Sequence, residues 1–526
     1  MNRRKFLRSA GATGLAVATL PTIIDSFTVK AFAGGDPRLQ QLLESQDRVL
    51  VLIQMPGGND GLNTIIPYTD PVYYNSRPTI GIPKSRALRL NDTLGWHPAL
   101  AGMRNLFEEG SLAVVQGVTY PNPDRSHFRG SDIWLTATDA DVFGSTGWVG
   151  RYLQTLAPNY PTVLPEHPLA VQIGTSTSLG LLGSSGPMGI SFRDPDEFYR
   201  LVNAGGGIEE VPSGTQTDTP AGREATFMRN IARSADVYAT IVKQANDSAG
   251  SSSVTYPTTD IGAKLRVVSQ LVAGGLKSRI FLISWTGNNF DTHADQTSSS
   301  DPTLGAHAAL LGELSGAVSA FMEDMKNKGL AEKISGMTFS EFGRRVAENG
   351  SVGTDHGTAA PLFVFGKNVN GGLYGKNPNL TDLDDRGDLL MENDYRDIYA
   401  SVLLQWFGAS TSKAQDVLFT DHSANALPLF KTEAVSVKDY NSSAATIVSV
   451  GPNPATDHVV VRTRIDVNAT ASVTLSDLRG RELRSLALDS WSGVGTIDVQ
   501  TLPSGTYLLT LKADRATTHT FVNISR

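Results

Sequence analysis

The amino-acid sequence predicts a large α/β sandwich with a mostly parallel sheet, followed by a small C-terminal all-β sandwich. Three observations predict it: short continuous apolar runs, helical patterns alternating with them, and a change of composition after about residue 440. Runs of five to seven apolar residues suit strands buried on both faces, as parallel strands are when helices cover the sheet. At 526 residues the chain is long enough for a large domain and a smaller one.

In chain order the strand candidates are "VLVLIQM" at 49–55, "LAVVQGV" at 112–118, "LAVQI" at 169–173, "IFLISW" at 280–285, "ISGMTF" at 334–339 and "PLFVF" at 361–365. Helical candidates lie between them. "HPALAGMRNLFEEG" at 97–110 is one, and the amphipathic "HAALLGELSGAVSAFMEDMKNKG" at 307–329 is another, closed by Gly329. A helix-rich insert at about 221–276 interrupts the alternation, as a lid over one edge of the sheet or as a peripheral helical layer, the latter preferred. Beyond a linker at 431–446, the stretch 447–526 holds short alternating runs separated by Gly, Pro, Asp and Ser, the pattern of a β-sandwich.

The N-terminus, "MNRRKFLRSAGATGLAVATLP", opens with paired Arg3 and Arg4 before a short Gly/Ala-rich apolar stretch, and "AFAGG" at 31–35 offers a small-residue cleavage site. Residues 1–34 thus resemble a twin-arginine export signal, whose partner is the twin-arginine translocase. The stretch is too short to span a bilayer comfortably, so no transmembrane segment is expected in the mature chain.

Composition narrows the chemistry. Hydrophobic residues make up 40% and charged residues 18%, with a net charge of -7 and no basic stripe, which argues against a nucleic-acid partner. The chain has no cysteine, so disulfides, thiolate metal sites and cysteine nucleophiles are excluded. Any metal must be held by oxygen and imidazole nitrogen.

Ligands of open α/β sheets collect beyond the carboxyl ends of the parallel strands. The run at 49–55 leads into "PGGNDGLN", with Asn59 and Asp60; the run at 112–118 leads to Arg125, Ser126, His127 and Arg129 at the start of a helix. The run at 280–285 delivers Asp291 and His293, and that at 334–339 delivers Glu341. Asp355 and His356 precede the run at 361–365, so they reach the same edge only if that strand is antiparallel to the others.

Asp60, Asp291, His293, Glu341, Asp355 and His356 form a candidate ligand set for a divalent metal: zinc, or magnesium or calcium. Ser126 at a helix N-terminus suits attack on phosphorus or sulfur, with Arg125 and Arg129 clamping the anionic oxygens. Structural roles compete for the same residues. "GGND" suits a tight turn, Ser126 and Asp124 suit helix caps, Glu341 suits pairing with Arg344, and Asp355 suits a turn with Gly357.

The segments "GGNDGLNTIIPYTDPVYYNSRP", "PDRSHFRGSDIW", "FDTHADQ", "SEFGRR" and "GTDHGTAAPLFVFG" resemble the bacterial domain of unknown function 1501 family over residues 46–430. That family looks like a distant branch of the alkaline phosphatase and sulfatase superfamily, so the resemblance implies a three-layer alkaline-phosphatase-like sandwich. It also implies that Asp60 and Ser126 stand at the first metal-binding aspartate and the nucleophile, and that Asp291, His293 and His356 serve one metal site. Where the superfamily has Asp-His, this chain has Glu341-Phe342, which removes an imidazole from a second site; His127 is the residue able to compensate. No Cys/Ser-x-Pro-x-Arg sequence begins at Ser126, so formylglycine chemistry is not implied.

"GPNPATD" and "LPSGTYLLTLKA" resemble the C-terminal sorting domain of type IX secretion substrates, which implies the type IX machinery as partner and a cell-surface or extracellular destination. The expected function is an exported, metal-dependent hydrolase of phosphate or sulfate esters. The alternative is a non-catalytic surface or periplasmic protein that keeps the fold for binding or assembly.

Overall fold

The computed structural model describes residues 47–204, 219–287, 289–431, 445–465, 471–477, 481–488, 494–513 and 516–525. The segment 1–34 expected to be an export signal, and residues 432–444 of the expected 431–446 linker, lie outside the described residues. The chain divides into two compact units, Met1–Thr432 and Glu433–Arg526.

The first unit is built on a nine-stranded sheet. Its strands are β1 (Val49–Gln54), β2 (Leu112–Thr119), β3 (Ala170–Ile173), β4 (Ile190–Phe192), β5 (Ile280–Ser284), β6 (Ile334–Phe339), β7 (Ala360–Gly366), β8 (Gly372–Tyr374) and β9 (Asn393–Asp394). The order is β8-β2-β7-β6-β1-β5-β3-β4, with β9 also pairing with β2. All six apolar runs became strands. β4, β8 and β9 have two or three residues each, too few to leave a run in the sequence.

β7 is the strand that runs against the rest. It is antiparallel to β6, with Met337 opposite Val364, and antiparallel to β2, with Val114 opposite Phe363. β1 is parallel to both β5 and β6. The direction demanded by Asp355 and His356 is therefore the one observed, and the carboxyl ends of β1, β5 and β6 share an edge with the entry to β7.

Alternate residues of β1 feed two separate cores, as the period-two geometry of a strand requires. Val49, Val51 and Ile53 pack in one core with Leu265, Val268, Leu311 and Leu314. These come from helices α5 (Asp260–Ala273) and α6 (Ala306–Asn327). Leu50 and Leu52 pack on the other face with Ile133, Trp134, Leu153 and Tyr399. Those belong to α2 (His127–Thr136), α3 (Trp148–Leu156) and α7 (Tyr395–Ser401). Helix, sheet and helix make the three layers.

The helical insert is part of the first core rather than a lid. α4 (Pro220–Ser248) buries Tyr238 and Val242, and α5 buries Ile261, Leu265, Val268 and Leu271. The pattern at 97–110 opens as a 3-10 turn, Pro98–Leu100, before α1 (Ala101–Glu108), because Pro98 and the His97 ring, which accepts Ala99 N–H at 3.1 Å, set the start. α6 ends where Gly329 takes φ 68°, a left-handed turn that costs glycine little.

The second unit has two antiparallel sheets. Ala445–Gly451, His458–Ile465 and Val494–Asp498 form one; Glu482–Leu488, Ala471–Ser476, Gly505–Ala513 and Ala516–Ile524 form the other. Val459, Val461, Val473, Leu475, Leu509 and Leu511 fill the space between them. No helix among the described residues is long and apolar enough to cross a membrane.

Candidate functional site

The loops after β1, β5 and β6 meet the loop before β7 around one carboxylate, Asp291. Asp291 Oδ1 lies 3.1 Å from His293 Nε2 and 3.2 Å from His356 Nε2, while Oδ2 lies 3.3 Å from His127 Nε2. The His293 and His356 Nε2 atoms are themselves 2.9 Å apart. Three imidazoles, from the start of α2, the loop after β5 and the loop before β7, thus present their Nε2 atoms to a single aspartate.

The far side of each ring explains the convergence. His127 Nδ1 is 2.8 Å from Glu341 Oε1, His293 Nδ1 is 3.2 Å from Asp355 Oδ1, and His356 Nδ1 is 2.8 Å from the Arg125 carbonyl. A carboxylate or carbonyl can only accept, so each Nδ1 bonded to one carries a proton; a neutral ring then keeps its lone pair on Nε2, and a ring whose Nε2 also donates to Asp291 is an imidazolium. Phe342 packs against the His356 and His127 rings at 4.5 and 5.0 Å and fixes their planes from one side.

Arg344 ties the loops together. Its guanidinium donates to the carbonyls of Gly57, Gly58 (2.8 Å), Phe290 (3.0 Å) and Thr354 (2.7 Å), and to Asp291 Oδ1 at 2.7 Å. Gly57, at φ 117°, has its backbone against that of Phe290 and Asp291, where a Cβ would collide. Burial by itself would push the Asp291 carboxyl up, but Arg344 and His356 bring it down to about 2. His127 is raised chiefly by its bond to Glu341, whereas burial lowers His356.

The structure separates the residues that sequence grouped as ligands. Asp291, His293 and His356 come together. Glu341 and Asp355 stand behind them: Glu341 Oε1 accepts Gly57 N–H at 2.7 Å as well as His127, and Asp355 also takes Asn349 Nδ2 at 3.1 Å. Glu341 therefore does not pair with Arg344, because Arg344 is on Asp291. Asp60 is fully buried and bonded to Arg77 Nη1 at 2.6 Å and Gln296 Nε2 at 2.5 Å. Among the described residues, it makes no hydrogen bond or ion pair with the three imidazoles.

Ser126 is exposed and caps α2, its Oγ 3.5 Å from Arg129 N. Arg125 is committed to Asp388 (2.7 Å from Nε) and Asp384 (2.7 Å), and Arg129 to the carbonyls of Ala140 (2.8 Å) and Val142 (2.7 Å) with its guanidinium 4.1 Å over Phe143. Internal acceptors hold Nε and Nη2 of both guanidiniums, and Arg129 Nη1 is buried without a hydrogen bond among the described residues. Arg344 and Arg77 were missed as parts of this edge. "SEFGRR" carried a signal only for Arg344, through its place beside Glu341, and Arg77 carried none.

Chemically, neutral Nε2 atoms with their opposite nitrogens held by acceptors are the usual form of a histidine metal ligand. Ligands bonded at 2.0–2.1 Å in a tetrahedral site stand about 3.3 Å from one another, close to the separations here. His127, Asp291 and His356 can each offer one atom with all three within 4.8 Å of one another. The set could hold one divalent ion of the kind that accepts nitrogen, zinc above magnesium or calcium.

Fold and site together define an α/β protein of helix-sheet-helix layers with an imidazole–carboxylate centre on the carboxyl edge of its sheet. Residues 223–416 match the family described as Protein of unknown function (DUF1501), and residues 449–524 match the Secretion system C-terminal sorting domain. The sorting-domain match indicates secretion to the cell surface or extracellular space. The first match holds Asp291, His293, Glu341, Arg344, Asp355 and His356, while Asp60, Ser126 and His127 fall before it. No curated relative matches the sequence.

Among solved structures, a Bacteroides thetaiotaomicron protein connected with metabolism of multiple glycosaminoglycans is 10% identical, covering 84% of this chain and 89% of that one at a TM-score of 0.35. A Vibrio parahaemolyticus protein in the alkaline phosphatase superfamily is 10% identical, covering 84% and 83% at 0.34. A phosphonate monoester hydrolase from Silicibacter pomeroyi is 9% identical, covering 91% and 89% at 0.31. At these scores the likenesses carry no weight for the chemistry.

Proposed function

We propose that this chain is an exported hydrolase of phosphate or sulfate esters, with a divalent metal at Asp291, His293 and His356 and with Ser126 as the attacking group. The observation that supports it is the position of Ser126 between two residues tied to the centre. The preceding Arg125 carbonyl holds His356 Nδ1 at 2.8 Å, and the following His127 places Nε2 3.3 Å from Asp291. The exposed hydroxyl stands one residue from each, at the N-terminal end of a ten-residue helix that favours anionic oxygens.

A divalent ion at this centre would polarise the ester oxygen and help a hydroxyl act near neutral pH. The chain's own part is orientation: Asp355 and the Arg125 carbonyl set two rings, and Arg344 holds Asp291 between them. Attack by Ser126 Oγ would release the alcohol and leave a seryl ester for water to clear. Paired Arg3 and Arg4 support passage through the twin-arginine translocase before the sorting domain acts.

A second reading, a non-catalytic binding protein, is favoured by the commitment of Arg125 and Arg129 to internal acceptors. Metal analysis of the purified protein, with a panel of phosphate and sulfate esters on wild type and Ser126→Ala, separates the two. Bound metal with turnover that needs Ser126 supports the hydrolase. Bound metal without turnover of any ester, or a metal-free and inert chain, supports the binding protein.

A further inference from the structure

The proposed centre has one imidazole more than those three ligands require. His127 Nε2 faces Asp291 Oδ2 at 3.3 Å yet makes no hydrogen bond among the described residues, and the atom is buried. Its ring is 4.5 Å from the His356 ring at a near-perpendicular 73°, so it adds a direction of approach that the other two imidazoles lack. Glu341 sets it. With 1% of its side chain exposed, Glu341 holds the His127 Nδ1 proton through Oε1, and Gly57 N–H fixes that same oxygen at 2.7 Å. A buried lone pair aimed at a carboxylate is repelled by it, and the arrangement is stable only with a proton or a cation between them.

Asp291 Oδ1, the oxygen that faces His293 and His356, already has a positive charge beside it. The Arg344 side chain is fully buried, and its Nη2 donates to Asp291 Oδ1 at 2.7 Å. Four backbone carbonyls from three loops hold the guanidinium there. Oδ2, which faces His127 at 3.3 Å, is the Asp291 oxygen that this fixed cation leaves for an ion. The other inner carboxylates have one oxygen engaged each, Asp60 Oδ2 by the buried Arg77 and Glu341 Oε1 by His127 and Gly57, while Asp60 Oδ1 and Glu341 Oε2 are buried without a hydrogen bond among the described residues.

Resting on the proposed metal centre, we infer that His127 is a fourth ligand of the same ion, so that three imidazoles and Asp291 take one zinc-class ion per chain while Arg344 supplies the other positive charge on Asp291. Nitrogen-rich sets of this kind select zinc or cobalt over magnesium and calcium. His127 is then a ligand and Glu341 its positioning residue.

The test uses the full mature chain, stripped with chelator and reloaded with zinc or cobalt(II). Elemental analysis reads ions per chain, a competing chelator reads affinity, and the visible spectrum of the cobalt form reads the ligand set. Wild type is expected to hold one ion. His127→Gln should alter the cobalt spectrum and weaken binding by more than the roughly 10- to 100-fold typical of losing an outer partner, while Glu341→Gln should fall within that range. Phe128→Ala, at a side chain outside the centre, should match wild type.

Two ions per chain, or a His127→Gln protein with wild-type affinity and spectrum, would overturn the inference and leave the proposed metal centre standing. If His127→Gln does not fold, His127→Asn and Glu341→Gln decide by the same readings. A wild-type chain that binds neither metal would overturn both.

Discussion

Replacing Asp60 by Asn separates a structural aspartate from a metal-binding one. Asp60 and Arg77 are both fully buried, joined at 2.6 Å, and Gln296 Nε2 adds a second donor at 2.5 Å. Burial alone would push the Asp60 carboxyl up; the Arg77 charge and the two hydrogen bonds outweigh it and hold it below the ordinary 3.8. In Asp60→Asn the Arg77 guanidinium keeps its bonds to Asn63 and to the Val346 and Arg345 carbonyls, but its charge is buried without a counter-charge. Breaking one side of such a pair costs about 3–5 kcal/mol. The full range applies, since neither side chain meets solvent that could screen the loss.

Urea unfolding followed by tryptophan fluorescence is a suitable assay, because five of the six tryptophans, at 96, 134, 148, 285 and 406, precede residue 432. Metal content would be measured on the same samples. The expected result is a midpoint lowered by the equivalent of about 3–5 kcal/mol, with ions per chain unchanged. A depressed carboxyl contributes stability that is present above its unfolded value and lost as pH falls through its folded value. The gap between wild type and variant should therefore hold from neutrality to about pH 4 and close below it. A variant with wild-type stability and fewer bound ions would refute the structural role and return Asp60 to the ligand set.

Asp355→Asn keeps the shape beside His293 but weakens the acceptor on its Nδ1; metal affinity should fall roughly 10- to 100-fold with no change in ion count, read by chelator competition. Gly57→Ala puts a Cβ into the Phe290–Asp291 backbone at φ 117°, so the chain should lose stability by more than the roughly 1 kcal/mol of an ordinary glycine replacement, read by the unfolding midpoint. A chain ending at Thr432 should keep its metal content and remain with the cells instead of reaching the surface or medium, read by fractionation and elemental analysis. Ser126→Ala should keep the bound metal and lose ester turnover; unchanged turnover would leave a water, not the serine, as nucleophile.

Much of this was legible in the linear chain. The six apolar runs are strands because a strand covered on both faces has no solvent side on which to place polar residues, and so leaves a continuous mark. Even the reversed direction of β7 was implied, since His356 lies before its strand and had to reach an edge that the other strands approach from the opposite end. Asp291, His293 and His356 were nameable for the same reason: each sits at the strand end nearest that edge.

What the sequence alone determined is the supply of groups and the edge that receives them, because strand period, run length and residue type are local properties. Only the tertiary structure decided how those groups divide. Asp60, Glu341, Asp355 and Asp291 are all carboxylates after or before a strand, alike in sequence, yet one faces Arg77, two face the backs of imidazoles and one faces their lone pairs. That division rests on hydrogen bonds between segments as far apart as His127 and Glu341, and on a guanidinium, Arg344, whose partners come from three loops. Contacts over such separations follow from packing the sheet, and packing leaves no mark in the neighbouring residues of either partner.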